Sequence, residues 1–193
     1  MVRPEVFTQK HGLMNWHELV AEHSHVFDAV VASVNSPKPE IPREAITAVV
    51  LQRSRHLVEA FALLIAQRNL TACGAIIRMQ LDSLMRLYAC SLVADPMELW
   101  EVLNSGVRWG TVRSATGEPL SDKYLHEQLS LKYAWASGLY ARMSGYVHLS
   151  TPHLDATIQG EQFLGMVLSI GAAGSCVTDD EVKENDGMMQ LVT

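Results

Sequence analysis

Polar side chains that could do chemistry cluster between residues 136 and 153, in a stretch otherwise patterned as a buried helix. Ser144 and His148 are four residues apart and share a helix face. Arg142 lies six residues before His148, about 120° away on an ideal helix, within reach of a long side chain. A functional interpretation of this spacing makes Arg142 a phosphate clamp and His148 a general acid or base, with Ser144 and Tyr146 in supporting positions.

The same residues also fit a structural role. Polar groups persist in apolar surroundings when they are hydrogen-bonded, and His148 can end a helix in a network with Ser144 or Tyr146 while Arg142 lies at the surface. The two interpretations differ in where Arg142 and His148 point. Catalysis needs both side chains in one open groove, whereas the structural role places them in separate packed or solvent environments.

A second charged set lies on the helix predicted over residues 71–93. Arg78, Asp82 and Arg86 follow one another at intervals of four, so they form one stripe in which Asp82 can accept from both guanidinium groups. Such a ladder usually fixes the register of a helix or faces a subunit partner. The alternative is that one arginine lines an anion-binding groove.

Metal and cofactor chemistry has little support. Glu22 and His25 form one Glu-x-x-His element, but a di-iron bundle needs a second copy and further inward glutamates. There is no glycine-rich phosphate loop, no Gly-x-Ser-x-Gly elbow and no Cys-x-x-Cys pair. We therefore expect no metal and no cofactor.

Apolar spacing of three and four residues, with Gly and Pro punctuation, predicts an all-α fold. We expect a helical bundle of four to six helices, with the pair 43–68 and 71–93 as a central antiparallel hairpin. The predicted helices span residues 15–34, 43–68, 71–93, 96–104, 121–150 (bent near Gly138 or Gly145) and 157–175, with a loop at 106–119.

The composition is that of one folded domain over residues 1–193, with an acidic, frayed or disordered tail at about 178–193. The net charge of -6 argues against DNA as a partner. Three widely spaced cysteines indicate reduced core thiols, and no apolar run is long enough for a membrane span. We expect a cytoplasmic protein without a membrane partner, and the surplus of apolar helix faces favours a homodimer.

Three runs of residues carry a resemblance to a known family. QRN at 67–69, RMQLD at 78–82 and LYARMSGYVH at 139–148 are similar to a mainly bacterial all-helical family that itself resembles the HEPN superfamily. The likeness covers roughly residues 53–152 in the order of elements. HEPN proteins are helical bundles, often dimers, and many are metal-independent ribonucleases of toxin or antiviral systems.

The HEPN signature is an arginine, four to six residues and a histidine, which Arg142 and His148 satisfy with five. The resemblance implies a composite site at a dimer interface, where RNA is cleaved through attack by the ribose 2′-hydroxyl. Met143 departs from the pattern, which usually has a polar residue after the arginine, and several family branches are noncatalytic. Two functions therefore stay open: a metal-independent endoribonuclease or RNA-binding component of a bacterial toxin or defence system, and a noncatalytic dimeric helical interaction module.

Overall fold

The computed structural model describes residues 14–16, 18, 21, 25, 28–30, 32, 41–148, 150, 158–159, 167–168 and 178–193. Its helices with defined bounds are α1 (Ile41–Ala66), α2 (Leu70–Ala89), α3 (Pro96–Ser105), α4 (Asp122–Lys132), α5 (Trp135–Val147) and α6 (Asp179–Val192), with a 3₁₀ turn at Trp109–Thr111. The described residues between 16 and 32 are helical as well. The all-helical fold class is confirmed. None of the described helices combines the length and the hydropathy that a membrane span requires.

The helix predicted at 157–175 is wrong at the four residues described there. Strands β1 (Ile158–Gln159) and β2 (Val167–Leu168) pair antiparallel, with Ile158 opposite Leu168. Four glycines in the predicted range each cost a helix interior about 1 kcal/mol, while β-branched residues favour extended backbone.

Two backbone hydrogen bonds define the turn between α1 and α2. Arg68 takes a left-handed conformation with φ 56°, its N–H donates to Ile65 O, and the Asn69 N–H donates to Leu64 O. This is a Schellman ending with arginine at the position that glycine usually holds. Asn69 Oδ1 accepts from Ala72 N at 3.2 Å and so caps the start of α2.

Helices α1 and α2 form the predicted antiparallel hairpin. Near the start of α1, Arg43 Nη2 donates to the carbonyl of Cys90 just beyond α2, at 3.2 Å. Farther along α1, Arg53 donates to Ser83 Oγ. Residues later in α1 thus contact residues earlier in the α2 segment: Arg43 reaches Cys90, and Arg53 reaches Ser83. This order shows that the two helices are antiparallel, so the hairpin is confirmed.

The chain divides into two compact units. Unit 1 takes the described residues among 1–19, 57–80 and 139–193, and unit 2 takes those among 20–56 and 81–138. Both long helices contribute to each unit, and the single domain over residues 1–193 stays a prediction. Buried side chains of unit 1 include Trp16, Phe61, Ile65, Cys73, Ile77, Met143 and Met189, and those of unit 2 include Ile46, Leu81, Met85, Leu99, Leu120, Leu125 and Leu129.

Both predicted N-caps, Asp95 and Ser121, are confirmed, but the helix predicted over 121–150 forms two separate helices. Asp95 accepts from Met97 N at 2.8 Å at the start of α3, and Ser121 accepts from Tyr124 N at the start of α4. The helix expected over 121–150 breaks at Tyr133, whose backbone is extended (φ -129°, ψ 99°). Its ring lies 5.8 Å from that of Trp135. The break between α4 and α5 thus falls at Tyr133 rather than near Gly138 or Gly145.

The tail predicted to be frayed is instead helix α6. Thr178 Oγ1 accepts from Glu181 N, and the Glu181 carboxylate accepts in return from Thr178 N, which is a capping box. The helix buries Val182 and Met189, and three acidic residues in its first turn complement the positive end of its dipole. The acidic residues that suggest a solvated tail form the first turn of this helix.

Candidate functional site: the Arg142 face and the unit 2 groove

The polar residues singled out from the sequence lie near the end of α5 in unit 1. Arg142, Ser144 and Tyr146 are in its last turns, and His148 lies in a bend beyond Val147. Ser144 Oγ donates to the carbonyl of Tyr140 at 2.8 Å, a bond within the helix that leaves the hydroxyl turned to its own backbone. The Ser144 hydroxyl is therefore satisfied within α5.

Arg142 is paired with a residue of α6. Its Nη1 and Nη2 donate to Oε1 and Oε2 of Glu184, the second bond measuring 2.7 Å. The side chains are 45% and 47% exposed. The hydrogen bond from Arg142 lowers the pKa of Glu184, and the same bond raises the pKa of Arg142. The two-pronged geometry is the one that arginine uses to hold a phosphate, so Glu184 occupies that position.

His148 is exposed and lies one residue beyond the end of α5. Among the residues that the structure describes, no hydrogen bond or ion pair joins the imidazole to a neighbour. No hydrogen bond or ion pair within the described part of the chain joins Arg142 to His148, and their joint catalytic role stays a prediction.

Two aromatic contacts hold α5 against α2 within unit 1. A Cβ added to Gly74 would lie 2.2 Å from Cγ of Tyr146, so the tyrosine ring rests directly on the backbone of α2. One turn farther along α2, the Arg78 guanidinium lies 4.3 Å from the centroid of the Tyr140 ring. This distance is that of a cation–π contact. Tyr146 and Arg78 thus position the helix that carries Arg142.

The charged ladder on α2 is only partly formed, because Arg78 lies over Tyr140. In unit 2, Asp82 Oδ1 pairs with Arg86 Nη2 at 3.1 Å, and Asp82 Oδ2 lies 3.7 Å from Arg53 Nη1. Arg86 Nη2 also pairs with Asp122. The second guanidinium beside Asp82 thus comes from Arg53 of α1 rather than from Arg78, one turn earlier on α2.

A groove opens beside these ion pairs, entirely within unit 2. Its volume is about 220 Å³. The lining residues come from α1, α2, α3 and the 3₁₀ turn: Ile46, Val49, Val50, Arg53, Asp82, Ser83, Arg86, Leu103 and Trp109. The Arg86 guanidinium lies 5.3 Å from the Trp109 ring centroid. Charged groups here adjoin an aliphatic and aromatic surface.

A metal centre finds no support in the described part of the chain. No three His, Cys, Asp or Glu side chains there are grouped to hold an ion. His25 is described and exposed, while Glu22, its partner in the Glu-x-x-His element, lies outside the described residues.

Comparison of the chain with protein-family models, curated proteins and solved structures finds no match. Function is therefore inferred from the placement of the residues described above.

Three residues of these sites were missed from the sequence. Glu184 lay in the supposed tail, although Thr178 and Glu181 carry the capping-box spacing that signals a helix start. No local sequence pattern points to Arg53 or Trp109. Arg53 contacts Asp82, and Trp109 contacts Arg86, only through tertiary packing.

Proposed function

We propose that the protein is a noncatalytic, HEPN-like helical interaction module that works as a homodimer. One observation carries the proposal: Arg142 makes a two-pronged ion pair with Glu184 of its own chain. The arginine that the resemblance assigns to phosphate is thereby paired with a carboxylate. A ribonuclease site needs both groups free to face one phosphodiester.

The homodimer is supported by the exposed apolar surface of the described helices. Leu131 is 82% exposed, Val147 54%, Leu63 50% and Leu191 48%. Aliphatic side chains at the surface of a helical module are stabilised when a second copy removes them from water.

A second candidate is a HEPN-like metal-independent endoribonuclease, or an RNA-binding component, of a bacterial toxin or defence system. The observation favouring it is that Arg142 and His148 are both accessible to solvent near the end of α5. An exposed ion pair contributes about 0–1 kcal/mol, so an RNA phosphate could displace Glu184 at little cost.

An RNA cleavage assay in EDTA separates the two candidates. Labelled single-stranded and hairpin RNAs are incubated with the wild type, with Glu184→Gln, which weakens the hold on Arg142, and with His148→Ala. The proposal expects no cleavage above a protein-free blank from any of them. Cleavage by the wild type or Glu184→Gln that is abolished in His148→Ala and retained in His56→Ala, an exposed histidine of unit 2, would overturn it.

The oligomeric part has its own test. Light scattering at micromolar concentration should give about twice the 21.4 kDa chain mass. A mass equal to one chain contradicts the homodimer, whatever the result with RNA.

A further inference from the structure

An aromatic patch lies where α4 meets α5, entirely within unit 2. It consists of Tyr88 near the end of α2 and of Leu131, Lys132, Tyr133 and Trp135 at the junction. Leu131 is 82% exposed and Tyr133 37%, while Tyr88 and Trp135 are half-buried. Apolar side chains are stabilised when a partner removes them from water, and Tyr and Trp are enriched at the centres of protein interfaces. The patch therefore has the composition of an interaction surface.

Lys132 carries a positive charge that no carboxylate balances. Its ammonium nitrogen lies 5.6 Å from the centroid of the Tyr88 ring and 5.4 Å from that of Tyr133, within the range of cation–π contacts. Among the described residues, no ion pair or hydrogen bond joins this nitrogen to another side chain. The carbonyl end of α4 supplies only about half a negative charge. Because Lys132 is exposed, its ammonium group is open to an external anion.

The geometry of the rings favours a peptide over a nucleic acid. The centroids of the Tyr133 and Trp135 rings are 5.8 Å apart, and the ring planes are inclined by 32°. A base inserted between two parallel rings needs them about 7 Å apart, which is twice the ~3.5 Å of carbon–carbon contact. The two rings therefore leave no slot for a base. A nucleic-acid backbone also needs several cations, and the patch supplies one.

The charge of Lys132 disfavours a second copy of the chain at the same place. In a dimer with its two-fold axis at the patch, the lysines of the two chains would face each other without a carboxylate between them. The exposed Leu63, Val147 and Leu191 belong to unit 1, so the homodimer proposed above does not depend on this patch.

We propose that the aromatic patch binds a short acidic segment of another protein, in which an Asp or Glu lies next to an apolar residue. The carboxylate accepts hydrogen bonds from Lys132 Nζ, and the apolar side chain beside it packs against Leu131 and Trp135. The inference rests on the proposed role as an interaction module, but it depends neither on the homodimer nor on the outcome with RNA.

Selection from a random peptide library displayed on phage tests the ligand class. The wild type should enrich peptides with Asp or Glu beside Leu, Ile, Phe or Trp, whereas Lys132→Glu should lose the acidic residues from the enriched set. Lys123→Glu replaces an exposed lysine of α4 that pairs with Glu127, and this matched control should select the same peptides as the wild type. No acidic enrichment by the wild type, or equal enrichment by Lys132→Glu, overturns the proposal.

Fluorescence anisotropy with the most enriched peptide measures the two contacts. Lys132→Glu should weaken binding about tenfold or more, because attraction becomes repulsion. Leu131→Ser should weaken binding about threefold or more, because it removes apolar contact area. Both side chains are exposed, so neither substitution should change the melting temperature. Undiminished affinity in Lys132→Glu would refute the contact with the carboxylate.

Two further measurements distinguish other occupants of the patch. The first is binding of a single-stranded uridine oligonucleotide, and affinity above that of the peptide that is lost in Lys132→Glu would identify a nucleic acid. The second is light scattering, and a dimer that becomes a single chain in Leu131→Ser would identify a second copy. Either result overturns the proposal. Absent peptide binding in a dimeric protein that does not cleave RNA would refute this inference alone and leave the proposed function standing.

Discussion

Trp16 donates its indole N–H to Asp186 Oδ1 at 2.7 Å, although 170 residues separate them in the chain. Asp186 is 4% exposed, and its other oxygen accepts from Met14 N at 3.1 Å and from Gln190 Nε2 at 2.9 Å. The Trp16 ring in turn meets Phe61 edge-on at 5.5 Å. A single buried carboxylate thus joins the described residues 14–16 to α6.

Replacing Asp186 by Ala should lower the free energy of unfolding by about 1–3 kcal/mol, because the buried indole N–H and the partly buried Met14 amide would both lose their acceptor. Urea denaturation measures the change. Lys183→Ala, on the exposed side of the same helix, should change stability by less than about 0.5 kcal/mol. Equal effects of the two substitutions would show that the carboxylate does not hold Trp16.

Gly74→Ala should destabilise the protein by about 1–3 kcal/mol, since the new methyl group would overlap the Tyr146 ring on the neighbouring helix. Thermal or urea unfolding gives the value. Alanine normally stabilises a helix relative to glycine by about 1 kcal/mol, so the sign of the change is diagnostic. Gly187→Ala in α6, where an added Cβ meets nothing within 4 Å, should show that normal gain. Stabilisation by both substitutions would contradict the Gly74–Tyr146 contact.

Cys73 should resist alkylation in the folded protein. Burial, with a smaller contribution from the charge of Asp186, raises the pKa of its thiol from 9.0 to about 12. Because the folded state retains a proton that the unfolded state releases, this contribution to stability is complete below about pH 9 and is lost as the pH rises toward 12. Iodoacetamide labelling at pH 8, read by peptide mapping, should modify Cys73 in urea and spare it in buffer. Rapid labelling in buffer would contradict its burial.

Leu81→Asp should cost more than about 3 kcal/mol, because Leu81 is 0% exposed and an aspartate there would bury an unpaired charge. Val107→Asp offers a control, since that valine is 48% exposed, and should cost less than about 1 kcal/mol. The ratio of the two effects, measured by urea denaturation, reports burial rather than the chemistry of the substitution. A cooperative transition unchanged in Leu81→Asp would refute the buried face of α2.

Local sequence rules succeeded where the deciding interactions are local. Asp95 and Ser121 cap α3 and α4 through hydrogen bonds to residues two or three positions away, and these spacings are visible in the sequence. They failed at residues 158–159 and 167–168, where the strands depend on cross-strand pairing. They also failed at Tyr133, where the helix breaks without a glycine.

By itself, the sequence determined the helical class, the α1–α2 hairpin and the candidate residues near the end of α5, since these depend on periodicity, caps and short connections. Only the tertiary structure determined which side chains the charged residues contact. Arg142 pairs with Glu184, 42 positions later, and Asp82 meets Arg53 rather than relying on α2 alone. Charged side chains take whichever partner the packing brings within about 4 Å, and packing between distant segments leaves no local pattern in the sequence.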